Sequence, residues 1–278
     1  MAYDSIQAML DDYEHTGTTL AELIYQSQQA ESGIGREAFM ARMEKLWDTM
    51  LAVSDGYTGE EKSWSGLVGG DARRLEEAPA LCGELMTQVM AEALKQAESN
   101  ACMRVIVAAP TAGSCGVLPA VLIPLYRQGA SRGQILEALT VAAGVGQVIA
   151  KRASISGAEG GCQAEIGSAC SMTAAALGEL FEMGLGQIGY AAEVAMEHHL
   201  GLTCDPIGGL VQIPCIERNA VAAMRAINAL SLANFLSETS KISFDTVVHT
   251  MYETGRDLNR VYRETAEGGL AKNYHPEK

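Results

Sequence analysis

The sequence predicts an all-α fold, a single mostly helical domain over residues 1–278 with glycine-rich loops at its candidate site. Apolar residues recur every three to four positions along most of the chain, which is the period of helices that bury one face. Alanine, glycine and methionine are abundant and aromatic residues make up 5%, a composition that suits close helix packing. No repeat, low-complexity block or linker divides the chain, so we predict one domain.

Composition and charge restrict the class of protein. With 278 residues and 48% hydrophobic content, the chain can bury a sizeable core. Lysine and arginine total 20 against 34 acidic residues, and the formal charge of -14 would repel nucleic acid and anionic membranes. The first residues lack the pattern of a secretory signal, and an odd number of cysteines, seven, argues against a disulfide framework. We therefore expect a cytoplasmic protein with reduced thiols that binds neither nucleic acid nor membrane.

Local signals predict the first helices. Thr19 and Glu22 have the spacing of a capping box, which predicts a short helix that ends near Gly33. A second, amphipathic helix is predicted from Arg36. The glycine-containing stretch at 54–75 breaks the pattern and is interpreted as a surface excursion or a lid.

Further along the chain, the signals are more mixed. Pro79 suits the start of a helix, and Ser131 with Gln134 marks the cap of another. The β-branched run at 105–107 fits a strand or a buried helix equally well, so its local structure stays open. The last long helix is predicted from about Ser243.

Two adjacent histidines, His198 and His199, end a helix predicted around 188–200. Neighbouring residues on a helix point about 100° apart, so the two rings do not form a metal-binding pair of the i, i+4 type. We expect both histidines at the surface or in an interface.

The segment "PTAGSCG" at 110–116 is a turn of small residues. It would expose backbone amides together with the hydroxyl groups of Thr111 and Ser114, and such a nest can hold a carboxylate or a phosphate. It is not a Walker loop, because no Gly-Lys-Ser/Thr follows. An ordinary turn is the alternative interpretation.

The stretch Ser154 to Met172, "SISGAEGGCQAEIGSACSM", joins the thiol of Cys162, two carboxylates and a glycine turn to a helix-like segment at 164–180. Cys162 is predicted near the start of this helix, where unpaired amides and the helix dipole favour the thiolate. A packed, structural cysteine is the more common role of a lone thiol.

Two further cysteines, Cys204 and Cys215, flank the loop in "CDPIGGLVQIPC". Pro214 fits the first turn of the helix that follows, so Cys215 resembles Cys162 in its setting. The spacing of the three cysteines matches neither a zinc ribbon nor a ferredoxin run, and on pattern alone a metal site stays one interpretation. Thiolates would favour an iron–sulfur cluster or zinc over magnesium or calcium.

Five segments in order resemble one known family. They are "GLVGGDARRL" at 66–75, "APTAGSCGVLPAVL" at 109–122, the stretch at 154–172, "CDPIGGLVQIPC" at 204–215 and "RETAEGGLA" at 263–271. Together they closely resemble the α subunit of iron–sulfur-dependent L-serine dehydratase, an L-serine ammonia-lyase. The resemblance implies an all-helical catalytic domain, L-serine as substrate, and pyruvate and ammonia as products.

The resemblance also implies roles for particular residues. Its metal ligands would be Cys162, Cys204 and Cys215, which would hold a [4Fe-4S] cluster with one open iron. Because an open iron can act as a Lewis acid on the substrate hydroxyl, we expect β-elimination. The nest residues Thr111, Gly113 and Ser114 would bind the substrate carboxylate.

The catalytic base stays unassigned, with Lys151 and Glu165 as weak candidates, because a helix-face salt bridge explains each at least as well. Relatives in this family carry an additional domain or a separate β subunit, so we expect a β subunit as partner and little activity from the chain alone. The alternatives are a related cysteine desulfidase-type lyase and a non-catalytic partner subunit. A pyridoxal-phosphate enzyme would need a Schiff-base lysine with a phosphate cup, and no convincing pair is present.

Overall fold

The computed structural model describes residues 3–236 and 240–275, and within these ranges it contains helices and no sheet. The helices are α1 (Ile6–Thr16), α2 (Leu20–Ser32), α3 (Arg36–Asp55), α4 (Asp71–Glu76), α5 (Glu84–Ala101), α6 (Val117–Arg127), α7 (Arg132–Arg152), α8 (Gly157–Gly160), α9 (Ser168–Leu180), α10 (Leu185–Glu197), α11 (Cys215–Leu236), α12 (Phe244–Asp257) and α13 (Gly269–Asn273). One parallel bridge, between Cys204 and Arg263, is the β pairing found in the described part. The prediction of an all-α fold is confirmed.

Capping residues set the start of several helices, as their spacing predicts. The Thr19 hydroxyl accepts a hydrogen bond from the Glu22 amide at 3.3 Å, and α2 ends at Gly33 in the left-handed conformation (φ 70). Ser131 and Gln134 form the capping box that begins α7. These local predictions are confirmed. The caps form at these positions because the backbone amides of a first helical turn have no partner within the helix.

Two local predictions are wrong. Helix α5 begins at Glu84 and not near Pro79, because Gly83 has φ 85, a conformation that a helix cannot include. His199 is buried, with 2% of its surface exposed, whereas His198 is exposed as expected. The burial of His199 depends on Gly167, where a Cβ would lie 3.0 Å from the Cβ of His199.

The run at 105–107, whose structure the sequence pattern left open, forms neither strand nor helix.

Helix α9 lies at the centre of the fold and packs against α6, α7, α10 and α11. Every residue from Ser168 to Gly178 is buried, and most are small, so neighbouring helices can approach closely. A Cβ on Gly146 of α7 would lie 2.8 Å from the Met172 sulfur, and one on Gly178 would lie 2.7 Å from Ile188 of α10. The two faces of α9 therefore join the two main apolar clusters of the core.

Helix α7 is long and apolar enough to cross a membrane when judged by length and composition. In the fold, 67% of that apolar stretch is buried. Core helices of soluble proteins pass the same test, so the length of α7 is weak support for a membrane span.

Helix α12 approaches the loop before Cys162 at a pair of glycines. A Cβ on Gly255 would lie 2.7 Å from the Cα of Gly160 and 3.1 Å from its carbonyl oxygen. Backbone atoms cannot move aside as a flexible side chain can, so this contact requires glycine.

We expect Gly255→Ala to lower the free energy of unfolding by about 1–3 kcal/mol, because the added methyl group overpacks this contact. Gly133→Ala in α7 is the control, since the nearest atom to its Cβ position is the Ser131 hydroxyl at 3.9 Å. The control should leave stability unchanged or raise it by about 0.4–1 kcal/mol. Urea unfolding followed by circular dichroism measures both, and equal unfolding midpoints for the two variants would contradict the packing argument.

Candidate active site

Three buried thiols come from three separate segments of the chain. Cys162 immediately precedes a turn of π-helix (Gln163–Gly167), Cys204 lies in the loop after α10, and Cys215 is the first residue of α11. None of the three is more than 5% exposed. The thiols of Cys162 and Cys204 are in hydrogen-bonding contact, and the charge of Cys162 acts on Cys215.

The electrostatic setting distinguishes the three thiols. The hydrogen bond from Cys204 lowers the pKa of Cys162 in spite of its burial, and the nearby Arg218 guanidinium lowers it further. The same hydrogen bond, followed by burial, raises the pKa of Cys204. Burial raises the pKa of Cys215 to about 12. Cys162 is therefore the thiol of the group that loses its proton most readily.

The chemistry of these donors fits a soft metal centre, since thiolates are ligands of iron–sulfur clusters and of zinc. Among the described residues, no group of three or more His, Cys, Asp or Glu side chains is arranged to hold a single metal ion.

A carboxylate faces the thiols from the π turn. Glu165 accepts a hydrogen bond from the Thr111 hydroxyl, and a Cβ on Gly113 would lie 2.7 Å from its Oε1 atom. Burial raises the pKa of Glu165, the Thr111 hydrogen bond opposes that shift, and the Glu264 carboxylate adds to it. Glycine is required at 113 because any side chain would displace the Glu165 carboxylate.

Gly157 lies where several of these groups converge. A Cβ at this position would be 2.9 Å from the sulfur of Cys204 and 3.4 Å from a carboxylate oxygen of both Glu165 and Glu264. Glu264 has φ 61, and its amide donates to the Cys204 carbonyl at 2.8 Å. Reasoning from residue patterns missed Glu264 as a site residue; its signal was the segment "RETAEGGLA", which the resemblance had singled out.

The turn at 110–116 lies beside this group and is tied to it by Asn219 of α11. The Asn219 amide nitrogen donates to the carbonyls of Gly113 (2.7 Å) and Cys215 (2.8 Å), and its oxygen accepts from Gly116 at 2.8 Å. The Ser114 hydroxyl accepts from the Thr111 amide at 3.3 Å, so it serves the turn itself. Sequence reasoning missed Asn219, although it lies one helical turn after Cys215.

A buried ion pair joins the segments of Cys204 and Cys215. Arg218 donates to the Thr203 carbonyl at 2.8 Å and to Asp205 at 3.0 Å, and Asp205 also accepts from the Leu270 amide at 2.7 Å. The same guanidinium lowers the pKa of Cys162. Arg218, on the helix that begins with Cys215, therefore contacts the Cys204 segment and acts electrostatically on Cys162.

The two candidate bases lie in different surroundings. Glu165 is within the group of thiols and carboxylates described above. Lys151, at the end of α7, forms ion pairs with Asp4 (3.6 Å) and Glu31 (3.9 Å). These ion pairs agree with the interpretation of Lys151 as a salt-bridge residue and not as the catalytic base.

Comparison with known proteins shows the family of this chain. Residues 15–271 match the family model described as serine dehydratase alpha chain. The chain belongs to this family. It is 41% identical to an L-serine dehydratase of Haemophilus influenzae over 285 aligned positions, covering 97% of this chain and 61% of that protein. It is 39% identical to L-serine dehydratase 2 of Escherichia coli, with the same two coverages, 97% and 61%.

A third relative has a similar identity. The L-serine dehydratase of Streptomyces coelicolor is 41% identical over 269 positions, covering 93% of this chain and 58% of the relative. The chain thus spans about three fifths of the length of the curated relatives it matches.

We expect Asn219→Ala to lower the free energy of unfolding by about 1–3 kcal/mol, because it leaves buried carbonyl and amide groups without partners. Asn234→Ala on the same helix is the control, since Asn234 is exposed and accepts one long hydrogen bond, from Gln187 at 3.4 Å. Urea unfolding of both variants tests this role. A loss of stability in Asn234→Ala as large as that in Asn219→Ala would contradict it.

Proposed function

We propose that this serine dehydratase α chain forms the cluster-binding part of an L-serine ammonia-lyase that converts L-serine to pyruvate and ammonia. The observation that carries the proposal is the meeting of buried thiols, Glu165 and the 110–116 turn in a chain whose relatives are L-serine dehydratases. The formal charge of -14 and the reduced cysteines also support the proposal of a cytoplasmic enzyme.

The ligands of the proposed [4Fe-4S] cluster are Cys162, Cys204 and Cys215. When bound, the cluster supplies a Lewis-acidic iron that makes the substrate hydroxyl a better leaving group. All three thiols would bind the cluster as thiolates, and the lowered pKa of Cys162 makes the loss of its proton easier than that of the other two. Arg218 offsets part of the negative charge that collects there.

The substrate groups have complementary partners on this chain. The amides of the turn that contains Thr111, Gly113 and Ser114 would receive the substrate carboxylate. Glu165 touches the same turn through Thr111, so we place the substrate ammonium group, or the Cα hydrogen of the substrate, toward the Glu165 carboxylate. This arrangement uses the zwitterion of serine to balance the charges of the site.

Glu165 is the base that we assign in preference to Lys151. It would take the Cα proton while the C–O bond electrons leave with the hydroxyl oxygen, giving aminoacrylate. That product tautomerises to an imine, which water hydrolyses to pyruvate and ammonia. Burial raises the pKa of Glu165 above its ordinary value, and a carboxylate with a raised pKa is a stronger base.

A separate β subunit is the proposed partner. The chain spans about three fifths of the relatives' length, so a further part would complete the site. We expect the chain alone to bind the cluster and to have little activity. Exposed apolar side chains, such as Trp64 and Leu81, are available for contact with another chain.

The cluster proposal predicts that Cys204→Ala loses bound iron and sulfide after anaerobic reconstitution, because a cluster held by two thiolates dissociates. Cys82→Ala is the matched control, since Cys82 is exposed and outside the site. Iron and sulfide analysis with the visible absorption spectrum measures the outcome. A wild-type chain without iron would instead support a non-catalytic subunit.

The assignment of the base predicts that Glu165→Gln lowers kcat for L-serine by about 10²–10⁴-fold while the bound cluster stays unchanged. Lys151→Gln should retain the wild-type kcat, because its ion pairs lie on the side of the N-terminal helices. Both are measured on the chain assembled with its β subunit, with L-serine and L-cysteine compared as substrates. Faster turnover of L-cysteine would favour a desulfidase-type lyase.

A further inference from the structure

A separate cavity adjoins the segments that carry Cys162 and Cys204. Its volume is about 620 Å³, and it lies between residues 154–160, helix α12 and the segment at 260–265. Three of its lining side chains are arginines, Arg256, Arg260 and Arg263. Such a concentration of guanidinium groups needs an explanation in a chain whose formal charge is -14.

The protein neutralises these arginines incompletely. Arg260 pairs with Glu267 at 2.5 Å, and both side chains are more than half exposed. Within the described ranges, neither Arg256 nor Arg263 forms an ion pair; Arg256 instead lies 5.6 Å from the centre of the Tyr252 ring. The buried Nε atom of Arg263 has no hydrogen-bond partner.

Glu159 also lines the cavity, but among the described residues it forms no ion pair with these arginines. Its carboxylate accepts a hydrogen bond from the Ser154 hydroxyl at 2.5 Å. A buried donor without a partner is destabilising, and an acceptor supplied by a ligand would give the Arg263 Nε atom its missing hydrogen bond. Arg256 and Arg263 together therefore favour a ligand with more than one negative charge.

The cavity is in physical contact with the candidate site. Arg263 pairs with Cys204 through the bridge, in which the Cys204 amide donates to the Tyr262 carbonyl at 2.8 Å. Gly255, next to Arg256, packs directly on Gly160, two residues before Cys162. A ligand in this cavity would therefore touch the segment that precedes Cys162, and Arg263, which pairs with Cys204.

Gln163 strengthens this connection. Its side-chain nitrogen donates to the carbonyls of Gly160 (2.9 Å) and Met251 (3.0 Å), and its oxygen accepts from the Gly201 amide at 2.9 Å. The loop before Cys162, helix α12 and the loop that leads to Cys204 are thus joined at one buried side chain. Any ligand that holds α12 in place also holds these two loops.

We propose that this cavity binds a small polyanion, with at least two negative charges carried by carboxylate or phosphate groups. The planar fork of a guanidinium matches the oxygen atoms of both groups, and the volume lies in the range of small-molecule sites. L-Serine has no net charge at neutral pH and would leave the two arginines uncompensated. The proposal concerns this cavity alone and holds whether or not the chain carries a cluster or dehydratase activity.

Isothermal titration calorimetry with citrate and with inorganic phosphate, at constant ionic strength, tests the proposal. Saturable binding of either probe supports it, and the difference between them tells whether carboxylate or phosphate is preferred. Acetate, with one charge, should bind at least about tenfold more weakly, because it can pair with only one of the two arginines. The absence of saturable binding by both probes overturns the proposal.

Variants locate the ligand. Arg256→Gln and Arg263→Lys should each weaken binding of the better probe at least about tenfold, since both lose a fork of donors. The control is Arg73→Gln, because Arg73 is exposed and lies on α4, outside the cavity. Circular dichroism melting confirms that each variant is folded, and Arg256→Gln gives the test if Arg263→Lys is not.

Two results would contradict the inference even if binding is seen. Equal weakening by Arg73→Gln would mean that the probe responds to the overall charge and not to the cavity. Binding of L-serine with the affinity of the polyanion, lost in the same variants, would make the cavity part of the substrate site. Neither result depends on measuring turnover, so the outcome is separate from that of the proposed function.

Discussion

The structure depends on buried polar side chains that hold three distant segments at one place. Gln163, Arg218 and Asn219 each bond to more than one segment, and Gln163 and Asn219 are almost completely buried. A buried polar group without partners is costly, so each of these side chains fits only one arrangement of its neighbours. The apolar core brings the helices together, whereas these three residues determine how the cysteine-bearing loops lie relative to one another.

The helices were predictable because their signals are local. The caps at Thr19 and Ser131 and the three-to-four spacing of apolar residues act within a few positions along the chain. Helix α1 was not anticipated, and the start of α5 was misplaced, because Gly83 ends the preceding turn with a left-handed backbone that no propensity reveals. His199 is buried because Gly167, which lies in another part of the chain, has no side chain to occupy the same space.

The site was predictable only in part. Cys162, Cys204 and Cys215 were chosen from their helix-start settings and from a family resemblance, and the structure brings Cys162 and Cys204 into contact. Arg218 and Glu264 carry no pattern of their own, because a salt bridge or an exposed acid looks the same in any helix or loop. Their positions follow from tertiary contacts that join residues far apart in sequence.

The π turn at Gln163–Gly167 has one more residue in its ring than an ordinary helical turn. This single extra residue lets Glu165 face the thiols while α9, directly behind it, keeps its small residues in the core. Point substitutions inside the turn alter one side chain at a time. Deletion of one residue there would convert the π turn into an α-helical turn. The segment before the turn, which carries Cys162, would then be rotated by about 100° around the α9 axis. Among members of the family, the length of this turn should therefore vary less than its composition.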